Sequence, residues 1–331
     1  MITRRATRSI CLALGAVALS AAPAAAREPH LSVSKAKAAA AMHCHGKVRG
    51  ARREPIVLVT GTGATGEEAY ALEKGAFDAF GHPVCDIDFP DFTTADIQVS
   101  VQYLVRGIRA VARRAGRPVA VAGISQGGLL PRWALTYWPD LRRLVTDVVA
   151  VAGTQHGTTV FDPAACALNG CAPAVWQQAA TSKLIAAISA RRDETPGPTA
   201  WTTVRSLTDE VVQPQSGPHP ASALTGASNI VIQKTCPGRV VSHIGSGVDS
   251  VTFAAVADAL GHRGAARASR FPASVCAHPF APGLDPTATG ALVTGSLGLI
   301  GNRLTSQVPL VKAEPRVRAY ARPRAPANPY G

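Results

Sequence analysis

The chain is short of several things. Only 5% of its 331 residues are aromatic. No cysteine pair forms a CxxC, no histidines stand at zinc-ligand spacing, and no segment repeats. A structural metal cluster and a repeat array are therefore not expected. No apolar run reaches the roughly 20 residues that a membrane-crossing helix needs. Acids are also scarce, 21 Asp and Glu against 34 Lys and Arg, which leaves a net charge of +13. A basic domain that binds nucleic acid clusters its cations and interleaves aromatics with them. Here the arginines are scattered as pairs, Arg52-Arg53, Arg113-Arg114, Arg142-Arg143 and Arg191-Arg192. That pattern reads as a soluble, arginine-biased surface, suited at most to an anionic interface, and no nucleic-acid partner is expected.

What is present begins with an address. Arg4, Arg5 and Arg8 precede an apolar run from Ile10 to Ala22 and the small residues Ala24-Ala25-Ala26. This is the layout of a cleavable signal peptide over residues 1–26, so a secreted protein is expected. Arg4-Arg5 leaves a twin-arginine route open. Losing the three arginines lowers the charge to +10. Cys11 leaves as well, and the six remaining cysteines suit an oxidising compartment. Cys166 and Cys171 flank a short loop and can bridge locally. Spacing leaves the connectivity of the other four open.

The patterning predicts alternating strands and helices. A short helix is expected near Lys35 to Met42. Apolar runs at Pro55–Thr60, Pro83–Asp88, Pro118–Ile124 and Thr146–Ala152 read as buried strands. Helical periodicity covers Glu67–Phe80 and Ala95–Ala115, and a helix follows Ser125. Thr158–Pro173 reads as irregular, and Val175–Arg192 as one helix. Thr202–Leu207 and Asn229–Gln233 read as late strands, Val248–Leu260 as a helix, Pro279–Thr287 as a proline-rich connection, and Ala291–Ile300 as an apolar helix too short to span a membrane. From Arg316 an Arg/Pro/Ala tail is expected to drape or fray. The alternation argues an α/β fold with a mostly parallel central sheet and helices on both faces.

Two glycine motifs compete for the chemistry. Gly61-Thr62-Gly63-Ala64-Thr65-Gly66 follows a strand and precedes a helix. Asp86 and Asp88 lie where a dinucleotide-binding fold holds its ribose, and Tyr70 and Lys74 form a Tyr-x-x-x-Lys. That tyrosine is too early to reach a nicotinamide, and an exported, disulfide-bearing chain is a poor host for a dinucleotide. The second motif is Gly123-Ile124-Ser125-Gln126-Gly127, a strand-to-helix turn that projects a serine hydroxyl. A nucleophilic Ser125 needs an oxyanion hole, an acid and a base. Thr62 on the first glycine turn and Gln126 after the serine can supply the hole. Asp209, just past a late strand, is the first choice of acid, with Glu210 beside it. Nine histidines compete for the base. His243, after the last strand and before a helix, has the position and the chain order that a hydrolase requires.

At these residues the chain resembles the Candida antarctica lipase B family. The matching stretches are Pro55–Gly66, Ser125–Leu129 with Trp133, Pro173–Gln178, Thr208–Gln215, His243 and Tyr320–Pro323. The resemblance implies an α/β-hydrolase fold with a small lid or cap region. It implies Ser125 as nucleophile, His243 as base and then acid, Asp209 orienting it, and Thr62 and Gln126 as the oxyanion hole. Gln178 would line the acyl side, with Thr154, Val211, Val212 and Ile124 also in the substrate pocket. It pairs Cys44 with Cys85 and Cys236 with Cys276. Cys166–Cys171 is extra, in the rim segment around 158–175, and is expected to stiffen it. Ile124 stands where the family has a tryptophan that narrows the alcohol pocket, so a roomier pocket is expected. The implied organisation is an N-terminal segment 27–54 tied by a disulfide, a catalytic domain 55–315 and a tail 316–331. The implied activity is that of a secreted, monomeric serine lipase or carboxylesterase acting on esters such as acylglycerols, at a lipid-water interface or free of it, with no metal or cofactor. A polyester depolymerase or acyltransferase would use the same residues. A catalytically dead binding protein on this scaffold is the alternative from another class.

Overall fold

The computed structural model describes residues 28–322 and the isolated Ile2. The signal-peptide reading and residues 323–331 of the tail lie outside the described residues. Seven strands form one sheet: β1 Met42–His45, β2 Ile56–Val59, β3 Val84–Ile87, β4 Val119–Ile124, β5 Val145–Val151, β6 Ala200–Arg205 and β7 Ser228–Val231. Their order is β1-β3-β2-β4-β5-β6-β7. All pairings are parallel except the antiparallel edge pair β1·β3.

The helices that position the site are α1 Lys35–Ala40, α2 Gly66–Phe80, α3 Ile97–Ala115, α4 Gln126–Tyr137, α5 Pro163–Asn169, α6 Pro173–Gln178, α7 Lys183–Ser189, α8 Ser250–Gly261 and α9 Pro286–Asn302. The two-residue period of a strand splits β2 between both faces. Val57 and Val59 pack with α3 and α4. Ile56 and Leu58 pack with Tyr70 and Phe77 of α2 and Phe253 of α8. A strand covered on both sides must be apolar throughout, which explains the unbroken Ile-Val-Leu-Val run.

Several elements depart from the periodicity reading, each for a nonlocal or capping reason. The first helix stops at Ala40, and Met42–His45 pairs with β3 instead, its Cys44 directly opposite Cys85 in register. The helix expected over Val175–Arg192 is two helices, interrupted at an extended Ala179. Thr158 pairs there with the backbone of Gln178 and Ala180, which takes those groups out of any continuous helix. The segment read as irregular contains α5, with Asp162 as its cap and Pro163 at its first position. In the same way Asp285 caps α9, so the helix starts inside the expected proline-rich connection. The helix expected from Val248 breaks at Asp249, which caps α8. The last strand ends at Val231 and gives way to a helical turn, Ile232–Thr235.

Three disulfides are present: Cys44–Cys85, Cys166–Cys171 and Cys236–Cys276. Of the draping or fraying expected from Arg316, the C-terminal segment through Arg322 shows the first. Tyr320 packs edge-on against Tyr137 and Trp138, and accepts a hydrogen bond from Trp133 Nε1 at 3.2 Å. Ala321 is fully buried. Burial of that aromatic cluster pushes the Tyr320 hydroxyl up to about 12.

The tightest approach in the sheet lies under the start of α4. A Cβ on Gly127 would sit 2.0 Å from the carbonyl oxygen of Val59, and one on Gly123 would sit 2.2 Å from that of Gly127. Backbone cannot yield there as a flexible side chain would. Gly127→Ala is expected to cost about 3 kcal/mol, a fall in Tm of roughly 4–5 °C for a chain of this size. A melting temperature unchanged in differential scanning calorimetry would refute this account of the turn.

Candidate active site

Ser125 sits between β4 and α4 at φ +57°, ψ −124°. This is a strained conformation for a residue with a side chain, and its surroundings hold it. Its N–H donates to Val151 O at 2.9 Å, and its carbonyl accepts from Gly128 N at 2.9 Å. The serine is 7% exposed. It borders a cleft of about 570 Å³ whose wall is mostly apolar.

His243 follows β7 and borders the same cleft. Its Nδ1 lies 2.8 Å from Asp209 Oδ2. An ionised carboxylate only accepts, so that pairing places the proton on Nδ1. Nε2 makes no hydrogen bond among the described residues. The other carboxylate oxygen, Asp209 Oδ1, accepts from Val211 N and Val212 N, both at 2.8 Å. Glu210 faces elsewhere: its Oε2 accepts the backbone N–H of His243 at 3.0 Å. Adjacent acids thus hold one histidine at two points, Asp209 by the ring and Glu210 by the main chain. Sequence reasoning treated Glu210 only as a rival for the acid.

Thr62 lies on the loop after β2 and borders the same cleft as His243. The backbone N–H groups of Thr62 and Gln126 donate to no other described group. The Thr62 hydroxyl donates to Gln126 Oε1 at 2.8 Å and accepts from Gln178 Nε2 at 2.8 Å. Gln178 Nε2 also reaches Gln126 Oε1 at 3.1 Å, and Thr154 donates to Gln178 Oε1 at 3.0 Å. These four side chains form one buried network behind the loop. Ile124 and Val211 border the cleft. Thr154, Gln178 and Val212 do not, because the two polar chains turn back into the network and Val212 is fully buried.

The rival glycine motif is accounted for by protein groups. Asp88 Oδ1 accepts from Gly66 N at 2.8 Å at the start of α2, where a dinucleotide would place its phosphates. Thr65 and Glu68 complete a capping box. Tyr70 stacks on His45 at 3.6 Å, and Lys74 pairs with Asp78.

Residues of α9, with Val160 and Phe161 from the segment read as a rim, border the cleft. Leu292 of α9 is 54% exposed and Val160 of the rim 49%. Arg303 pins the end of α9 to the loop after β2, donating to Gly63 O at 2.9 Å and pairing with Glu68 at 2.7 Å. That pairing lowers the Glu68 carboxyl. Cys171 exchanges backbone hydrogen bonds with Val311, tying the rim to the segment after α9. Among the described residues, no three His, Cys, Asp or Glu side chains gather as a metal site, and no helix is long and apolar enough to cross a membrane.

One cleft residue escaped the sequence reading. Glu73 is 7% exposed and borders the cleft. Burial alone pushes its carboxyl up to about 8. The signal was there: Tyr70, Glu73 and Phe77 lie at helical spacing, so the acid falls on the buried stripe of α2. Between its ordinary value of 4.5 and about 8, the folded chain holds a proton that the unfolded chain releases. Rising pH through that window therefore destabilises the fold. Glu73→Gln removes the effect, so the variant should gain in Tm over wild type steadily from pH 4.5 to 8 and no further above it. A constant difference across that window would contradict the burial.

No protein-family model matches the chain. It is 31% identical over 309 residues to lipase B of Pseudozyma antarctica, an alignment spanning 90% of this chain and 88% of the relative. Its structure is similar to the crystal structure of Aspergillus fumigatus lipase B, with a TM-score of 0.82 and 28% identity, over 89% of this chain and 73% of that one. The sheet and its flanking helices are those of an α/β-hydrolase.

Proposed function

The chain belongs to the lipase B family and is an ester hydrolase, and on that footing we propose that it is a secreted serine lipase or carboxylesterase working through Ser125, His243 and Asp209. The observation that carries the reading is the Asp209–His243 pair, 2.8 Å long, bordering the same apolar cleft as a serine on a strained turn. With its proton fixed on Nδ1, His243 presents a bare Nε2 to accept the Ser125 proton. No hydrogen bond joins the two before substrate enters, which is common in unliganded hydrolases.

Ser125 Oγ attacks the ester carbonyl, and negative charge develops on the carbonyl oxygen. The unused N–H groups of Thr62 and Gln126 receive it. The Thr62 hydroxyl joins them by turning away from Gln126 Oε1. Protonated His243 then gives its proton to the leaving alcohol, leaving an acyl-enzyme. Water completes the cycle. An alcohol in its place makes a new ester, the chemistry an acyltransferase would use. Asp209, fixed by two backbone N–H groups, steadies the imidazolium, and Glu210 fixes the height of the histidine. The apolar, exposed border suits acylglycerol substrates at an interface. Support for export comes from the three disulfides and the leader-like N-terminus.

A fluorophosphonate should label wild type at Ser125, and Ser125→Ala should lose both labelling and ester hydrolysis. Asp209→Asn should fold and lose about 10⁴ in kcat through the wrong histidine tautomer. An unlabelled wild-type protein would favour the dead scaffold. Activity confined to polymer films would favour the depolymerase.

The pocket beside Ser125 generates a separate prediction. The Ile124 Cδ1 methyl lies 2.9 Å from where a Cβ on Gly247 would sit, so an isoleucine already fills the approach to that glycine and a larger ring must project into the cleft. Ile124→Trp should narrow the alcohol side and raise enantioselectivity toward small secondary alcohols. Unchanged selectivity would remove Ile124 from that role.

A further inference from the structure

Among the described residues, Glu73 is the one buried acid in the cleft wall with no partner. Asp209 has two N–H donors and a histidine, and Glu68 has Arg303. Glu73 has no hydrogen bond or charged partner among the described residues, and burial is the sole influence on its carboxyl. Yet it is more than nine-tenths buried and borders the space next to Ser125. A carboxyl in apolar surroundings is costly unless it is hydrogen-bonded. Leucine at the same helical position would fill the wall at no such cost.

Its place can be stated closely. A Cβ on Gly247 would lie 3.4 Å from Glu73 Oε1 and 2.9 Å from Ile124 Cδ1. The carboxyl and Ile124 therefore meet over the same glycine, and Ile124 directly precedes Ser125. The Thr154–Gln178 network lies behind Thr62 and Gln126. Other charged or titratable groups of the cleft are His243 and the Glu68–Arg303 pair. On α2 itself, Tyr70 is stacked on His45 and Lys74 is paired with Asp78. None of them satisfies Glu73.

We propose that Glu73 is a specificity-determining residue that hydrogen-bonds a free hydroxyl on the leaving alcohol, so that the enzyme prefers esters of diols and polyols to esters of plain alcohols of equal length. This rests on Ser125 as the nucleophile and on Ile124 marking the alcohol side. A protonated carboxyl offers one donor and one acceptor, and a hydroxyl matches both. An ammonium group would instead require an ionised carboxylate and its own desolvation in an apolar cavity, which costs more than the pair returns.

The test is a pair of substrate series, assayed with wild type, Glu73→Gln and Glu73→Leu. One series keeps the acid and varies the leaving alcohol between n-alkyl and ω-hydroxyalkyl chains of equal length. The other keeps the alcohol and varies the acyl chain. Wild type should favour the hydroxyalkyl esters by roughly fivefold in kcat/KM, the size of one net hydrogen bond. Glu73→Leu should lose that preference while Ser125 still reacts with a small fluorophosphonate, which reports an intact site. Glu73→Gln, with a donor and an acceptor, should keep it at every pH. Above about pH 8 the ionised wild-type carboxylate penalises an apolar chain, so the preference should rise in wild type and stay level in Glu73→Gln. A preference untouched by Glu73→Leu, a change confined to the acyl series, or stronger selection for a choline ester than for the hydroxyalkyl ester would overturn the proposal. Hydrolysis by Ser125→Ala would be a different failure, that of the serine reading, and would bring this proposal down with it.

Discussion

The close approach of Gly127 to the carbonyl of Val59 is the constraint on which the site depends. Two backbone segments meet there at a distance that excludes any Cβ. That contact lets α4 start directly off β4, and the abrupt start forces Ser125 to positive φ. The serine side chain has nowhere to go but the cleft. The same geometry leaves the Gln126 N–H unpaired at the helix start and brings the Thr62 loop alongside. The proposed nucleophile and oxyanion donors are thus products of one packing event.

The proposed acid and base arrive by a different route. Asp209 and His243 are 34 residues apart and meet because β6 and β7 run parallel and release their loops at the same edge of the sheet. Open α/β sheets gather ligand-binding loops at the carboxyl ends of their strands. What makes this pair specific is the satisfaction of both Asp209 carboxylate oxygens. Asp209 spends one oxygen on two backbone N–H groups and the other on the imidazole. Glu210 and Thr158 tie the flanking backbone, with Thr158 donating to Val211 O at 2.6 Å. Asp209 is buried with its donors in place, while Glu73 is buried without any among the described residues, and burial raises its carboxyl.

The cleft border joins three regions that are remote in sequence. Arg303 reaches back to Gly63, Cys171 pairs with Val311, and Tyr320 docks among Tyr137, Trp133 and Trp138. The chain after α9 therefore works as a strap that fixes the Cys171 segment and the Gly63 loop at once. Exposed leucines on a helix held in this way give the cleft an apolar mouth without a membrane-spanning element.

Much of this was legible in the residues. The unbroken apolar runs specified buried parallel strands because a strand covered on both faces has no polar side. Gly-x-Ser-x-Gly specified the turn because only glycine tolerates the contacts around it. Chain order and placement after strands selected Asp209 and His243. Periodicity failed where long-range pairing or a cap overruled it: at β1, at the break at Ala179, and at the starts of α5 and α9. Only the tertiary structure separated the work of Asp209 from that of Glu210, turned Gln178 and Thr154 away from the cleft, and left Glu73 buried without a partner. Local pattern determines what a segment prefers to be, because propensity and amphipathicity act over neighbouring residues. Which side chains end up satisfied and which are left wanting depends on contacts between segments far apart in sequence, and those are decided by packing.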